Sequence, residues 1–127
     1  MNALRILHVD DEPDIRELIG MSLALDPDVV LKSCGSGGEA LIVAPEWKPD
    51  IILMDVMMPA MDGPQTLGRL KSQPLTAGIP VVFMTARVQG GEVAELMALG
   101  ATGVIPKPFN PIKLAGMVRT YVADAAA

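Results

Sequence analysis

Cysteine, histidine, tryptophan and tyrosine occur once each in 127 residues, and phenylalanine twice. A lone Cys34 excludes an intrachain disulfide, and a buried, reduced thiol is its simple reading. With only 3% aromatics, aliphatic and methionine side chains have to fill the core. No apolar run approaches the roughly 18–20 residues of a membrane span. The N-terminus lacks the basic, apolar and small-residue segments of a signal peptide, so cytoplasmic residence is expected. Cationic excess is missing too: 15 acidic side chains against 10 basic ones give −5. Nucleic acid and anionic membrane both ask for clustered cations, so neither is expected as the main partner.

What is present suits a packed fold. Half the residues are hydrophobic, and the length fits one domain over residues 1–127, since domains cluster near roughly 100–150 residues. Short β-branched or aliphatic runs recur at Ile6–Val9, Val29–Leu31, Ile51–Met54, Pro80–Met84 and Gly103–Ile105. These read as strands buried on both faces. Between them, helical spacing links Ile15, Leu18, Ile19 and Leu23, then Ala40, Leu41 and Ala44. It returns at Val93, Leu96 and Met97, and at Leu114, Met117, Val118, Tyr121 and Val122. Only Leu67 and Leu70 mark the helix near Pro64–Ser72. Pro13 and Pro64 suit first helical turns, Gly100 suits a C-cap, and Pro45 is expected to stop the second helix. The Ala-rich stretch 123–127 reads as a frayed helix end or the start of a linker. Strict alternation of five strands and five helices implies an α/β fold, a parallel sheet with right-handed crossovers and helices on both faces.

In open α/β sheets, ligands bind beyond the carboxyl ends of the strands. At those ends stand Asp10 and Asp11, Asp55, Thr85 and Ala86, and Lys107 and Pro108. Each has a plain explanation as cap, strand residue or surface charge. Together they bring three carboxylates, a hydroxyl and an ammonium to one edge. Clustered carboxylates resist ionisation unless a cation sits among them. All-oxygen ligands suit Mg²⁺, or Mn²⁺, rather than zinc. A carboxylate beside such an ion can act as a nucleophile towards phosphorus. Thr85 and Lys107 then suit the remaining phosphoryl oxygens.

Five ordered segments carry a family resemblance. They are Ile6-Leu7-His8-Val9-Asp10-Asp11-Glu12, Asp50 through Pro59, Met61-Asp62-Gly63, Pro80 through Ala86, and Lys107-Pro108-Phe109. In these the chain resembles the receiver domains of two-component response regulators, over essentially its whole length. The resemblance implies a flavodoxin-like (βα)5 three-layer sandwich of strand order 2-1-3-4-5, an order the general rule for such folds already attaches to a receiver protein. It implies Asp55 as phosphoacceptor, charged by a sensor histidine kinase or a histidine phosphotransfer protein. Asp10, Asp11, Asp55 and the backbone carbonyl of Met57 would hold Mg²⁺. Thr85 would be the switch hydroxyl, Lys107 the cation before a cis peptide, and Ala86 the small residue that leaves a donor room. A face of helix four, strand five and helix five would meet a downstream protein.

Some positions depart from the family pattern. Val104 stands where receivers usually carry Tyr or Phe, no acidic pair precedes it in Ala101-Thr102-Gly103, and Pro106 before the lysine is unusual. The aromatic switch therefore has no standard form here. Met57, Met58 and Met61 suggest an apolar lid beside the phosphate. Met57 and Arg87 flank the site, and an apolar Met57 predicts slow hydrolysis. His8 reads as a packed strand residue, Trp47 as packing at the end of the second helix, and Gly90-Gly91 as a flexible helix start or a reordering loop. Two other functions compete with the phosphorylation-gated module. One is a degenerate receiver acting as a constitutive scaffold. The other is a Mg²⁺-dependent aspartyl-phosphate phosphatase, which would lack a second acid at Met57 and a cap domain. Turnover enzymology is not expected.

Overall fold

A computed structural model describes residues 3–126. Five strands and five helices alternate: β1 (Leu4–Val9), α1 (Pro13–Leu23), β2 (Val29–Cys34), α2 (Gly37–Trp47), β3 (Ile51–Asp55), α3 (Gly63–Lys71), β4 (Val81–Thr85), α4 (Glu92–Ala98), β5 (Gly103–Pro106) and α5 (Leu114–Ala126). All strand pairs are parallel, in the order β2-β1-β3-β4-β5. The expected three layers are present. Leu7, Val9, Ile52, Met54, Val81 and Phe83 face α2, α3 and α4 through Ala40, Ala44, Leu67, Leu70 and Leu96. Strand residues of the other parity, Ile6, Ile51, Leu53, Val82, Met84 and Ile105, face α1 and α5 through Ile19, Leu23, Leu114 and Val118. Two-residue periodicity in the strands thus splits one set of apolar runs into two cores.

The strand reading needs one correction. β2 is an edge strand and only half covered: Val29 and Leu31 pack inward while Val30, Lys32 and Ser33 are exposed. Its run also extends three residues further than the apolar segment alone suggested, because hydrogen bonding to β1 continues to Cys34. Cys34 is buried, and burial together with the nearby Glu39 carboxylate pushes its thiol up to about 11.

Pro45 does not stop α2, which is the second correction. It sits in the last turn, and the helix runs on to Trp47 before Lys48 turns left-handed at φ 55° and donates its amide to Ala44. A proline there forgoes a single backbone hydrogen bond near the end of the helix, where the loss is cheapest. Trp47 packs against the core, and the Arg5 guanidinium stacks 4.2 Å from its ring centroid.

Other punctuation behaves as read. Pro13 and Pro64 lie in first turns. Gly100, at φ 110°, follows α4, with Gly100 N donating to Met97 O and Ala101 N to Leu96 O. This is a Schellman closure. The sparse α3 is secured by a capping box, in which Asp62 and Gln65 exchange side chain-to-backbone bonds of 2.8 and 3.0 Å. Gly90 and Gly91 are both left-handed and open α4. Residues 123–126 continue α5, and Ala127 lies outside the described residues.

Pro106 also finds its explanation in the fold. Lys107 N donates to Thr85 O at 2.9 Å. Backbone groups of successive strand residues point to opposite sides. The nitrogen of Pro106 therefore faces the open side of β5, where no ladder bond is lost.

Candidate functional site

Each chemistry-bearing side chain sits at the carboxyl edge because its strand ends there. Asp55 and Thr85 are the last residues of β3 and β4, Asp10 follows β1 directly, and Lys107 follows β5 directly. Asp10 and Asp55 are buried and Asp11 is half-buried. One carboxylate oxygen from each of the three lies within 4.8 Å of the others. Lys107 Nζ is 3.0 Å from Asp55 Oδ1 and 3.5 Å from Asp10 Oδ2.

Burial raises the Asp55 carboxyl above its ordinary range, and Asp10 adds to this while the Lys107 bond and charge oppose it. For Lys107, burial works against the charge. The Asp55 bond and the two carboxylates outweigh it, and its value rises. One ammonium thus offsets part of the repulsion among three carboxylates.

The hydroxyl of Thr85 is nearly buried and accepts from Arg87 N at 3.0 Å, which leaves its own proton for an incoming oxygen. Ala86 is exposed at the mouth. Behind Asp55, Gly63 packs so closely that a Cβ there would come within 2.6 Å of Asp55 O and 2.7 Å of the Phe83 ring. Its place in the Met61-Asp62-Gly63 segment thereby gains a steric reason. The capping box between Asp62 and Gln65 opens α3.

The methionine lid is corrected. Met57 is 66% exposed beside the site, but Met58 is buried in the core against α2 and α3, and Met61 is half-buried. The loop turns between them, so three consecutive-looking apolar residues serve different places. His8 is 1% exposed within β1, and its Nδ1 has no hydrogen-bond partner. Burial depresses its value to about 4 against the upward pull of Asp10. Beside Lys107 an apolar hollow opens between α1 and the β5–α5 loop, lined by Ile15, Leu18, Pro108 and Phe109.

Residues 6–119 match the family model described as the response regulator receiver domain. The chain belongs to that family. Among curated proteins, this receiver is 32% identical over 120 residues to the response regulator Rre1 of Synechocystis, covering 94% of this chain and 52% of that protein. It is 35% identical over 117 residues to the phosphate regulon transcriptional regulatory protein PhoB of Pseudomonas aeruginosa, covering 92% and 51%. The receiver spans about half the length of these relatives. Its fold matches the chemotaxis response regulator CheY4 of Vibrio cholerae with a TM-score of 0.85 at 30% identity, over 95% of this chain and 99% of that one. The receiver domain of a histidine kinase from Syntrophus aciditrophicus matches with 0.83 at 31%, over 96% and 92%. Among the described residues of the receiver, no helix is long and apolar enough to cross a membrane.

Proposed function

We propose that Asp55 is the phosphoacceptor of this receiver, and that Asp10, Asp11 and Asp55, with the Met57 carbonyl, hold a divalent ion. The observation that carries this reading is the geometry at Asp55. It is a nearly buried carboxylate at a strand end, 3.0 Å from an ammonium and clustered with two further carboxylates. The donor set fits the ion: three carboxylates converge with no thiolate or imidazole among their ligand atoms, which suits Mg²⁺ or Mn²⁺. When bound, that ion supplies charge neutralisation at a phosphoryl oxygen.

The chain's own residues supply the rest. An Asp55 oxygen attacks the phosphorus of a phosphohistidine. The P–N bond breaks and its electron pair stays on the imidazole nitrogen, so the donor leaves as a neutral imidazole whose other nitrogen carries the ring proton. Lys107 gives up its bond to the free carboxylate and donates to one phosphoryl oxygen. Thr85 donates its free hydroxyl proton to another. Ala86 leaves the approach open. The reaction is one transfer followed by slow loss, not turnover on a substrate, since the exposed Met57 offers no acid for a leaving group.

Residues 1–127 act as one receiver unit, whose donor is a sensor histidine kinase or a histidine phosphotransfer protein. The apolar hollow beside Lys107 gives such a donor a place to rest against. The face of α4, β5 and α5 meets the downstream protein, with no direct nucleic-acid contact, in a cytoplasmic setting.

Incubation with acetyl phosphate and Mg²⁺, read by intact-mass spectrometry, tests the chemistry. A single phosphoryl adduct is expected, lost in Asp55→Asn and in EDTA. An adduct that persists in Asp55→Asn overturns the assignment.

A further inference from the structure

Arg16 lies in α1 and has no part in the phosphoryl chemistry above, yet it touches the site's backbone. Its Nη1 donates to the main-chain carbonyl of Asp10 at 2.8 Å. That carbonyl belongs to the peptide plane joining Asp10 to Asp11, and a peptide plane turns as one body. The rest of Asp10 is also held. Its amide donates to Cys34 O at 3.1 Å, and its Oδ1 accepts from Glu12 N at 2.9 Å. Asp11 differs, because among the described residues its carboxylate has no hydrogen-bond partner. With no partner of its own, that carboxylate depends on the backbone for where its side chain is rooted, and the Asp10–Asp11 peptide helps set that root.

The guanidinium is itself seated. Arg16 as a residue is half-buried, and its guanidinium lies over the turn between β2 and α2, where a Cβ added to Gly35 would come 3.5 Å from Nη1 and 4.0 Å from Glu39 Oε1. The same Glu39 oxygen accepts from Gly35 N at 2.6 Å. Arg16 thus spans from α1 across the β2–α2 turn to the first strand's end.

We propose that Arg16 is a positioning residue for the divalent-ion site: by fixing the Asp10–Asp11 peptide it aims the Asp11 carboxylate at Asp55. This rests on the reading that these carboxylates hold the ion. Outer partners of metal ligands commonly govern affinity in this way. Charge makes the opposite demand. A guanidinium near a cation site repels the ion, so removing it by charge alone tightens binding. Positioning and repulsion therefore predict opposite signs for one substitution.

The experiment is calorimetric titration of the full chain with Mg²⁺ at fixed ionic strength, for wild type, Asp11→Asn, Arg16→Met and Arg16→Lys. Thermal melts in EDTA accompany each. Arg16→Met is expected to weaken Mg²⁺ binding about tenfold, and Arg16→Lys by less. Phosphorylation by acetyl phosphate then needs more Mg²⁺ for half-maximal rate but reaches the wild-type rate at saturation. Unchanged or tighter binding by folded Arg16→Met overturns the proposal. If that variant melts below the working temperature, Arg16→Lys decides in the same way, weaker binding supporting and unchanged binding overturning. Failure of the underlying reading looks different: wild type binds no Mg²⁺, or Asp11→Asn binds it as wild type does.

Discussion

Tyr121 of α5 reaches across to β5 and donates its hydroxyl to the carbonyl of Val104 at 3.0 Å. Its ring fills the space above Gly103, where a Cβ would come 2.0 Å from Cε1. The ring and the Val104 side chain lie on opposite faces of β5, Val104 with the α2–α3–α4 core and Tyr121 with the α1–α5 core, and both border the groove along its outer edge. Gly103→Ala is expected to destabilise the fold by about 1–3 kcal/mol, the usual cost of overpacking, read as a lower melting temperature. Adding Tyr121→Leu should recover part of that loss. Additive effects in the double variant would mean that ring and methyl do not compete.

Lys107 is the counter-charge that limits how far burial raises Asp55. In EDTA, Lys107→Met should move the Asp55 carboxyl further up, followed by carbon-13 NMR of the side-chain carboxyl. A carboxyl whose folded value is raised binds protons more tightly in the native state, so its ionisation subtracts stability as pH rises. The variant should therefore lose stability more steeply than wild type on going from acid to neutral pH. An Asp55 value unmoved by the substitution would contradict the account.

Exposed Met57 borders the site without a group to orient water. The phosphorylated protein should lose its phosphoryl group slowly, and Met57→Asn should hasten the loss several-fold, followed by the decay of the mass adduct. Equal decay in both proteins would assign the rate to another neighbour, with Arg87 next in line.

His8 is held neutral by burial, with a folded value of about 4 against 6.5. Its folded value is lowered, so its contribution is present above the unfolded value and disappears as pH falls towards the folded one. On the order of 3 kcal/mol is at stake. Chemical denaturation in EDTA should show stability falling from pH 6.5 towards 4, with a flatter profile for His8→Gln. Parallel profiles would remove His8 as the cause.

The site was legible because each of its residues ends an apolar run. Asp55 and Thr85 close β3 and β4, whose short length and aliphatic, β-branched content mark them as strands where periodicity alone would not. β2 was harder, since an edge strand buries one face and reads as a mixture. Met58 could not be separated from Met57 by composition, because the turn between β3 and α3 decides which side chain goes inward. Arg16 gave no signal at all. A half-buried arginine on an amphipathic helix looks like any other, and its bond is to a main-chain atom. The partnership of Tyr121 with Gly103 is a contact between distant segments, which periodicity within either one does not express.

Pro106 and Tyr121 together have a bearing on how this protein meets others. On the outer side of β5, one residue has no amide hydrogen to offer and the carbonyl two positions earlier is already engaged by a phenol. With two of the four outward groups of Val104 and Pro106 withdrawn, this margin is a poorer template for lengthening by a foreign chain. More of the recognition on that flank then falls to side chains, which mutation can tune one at a time.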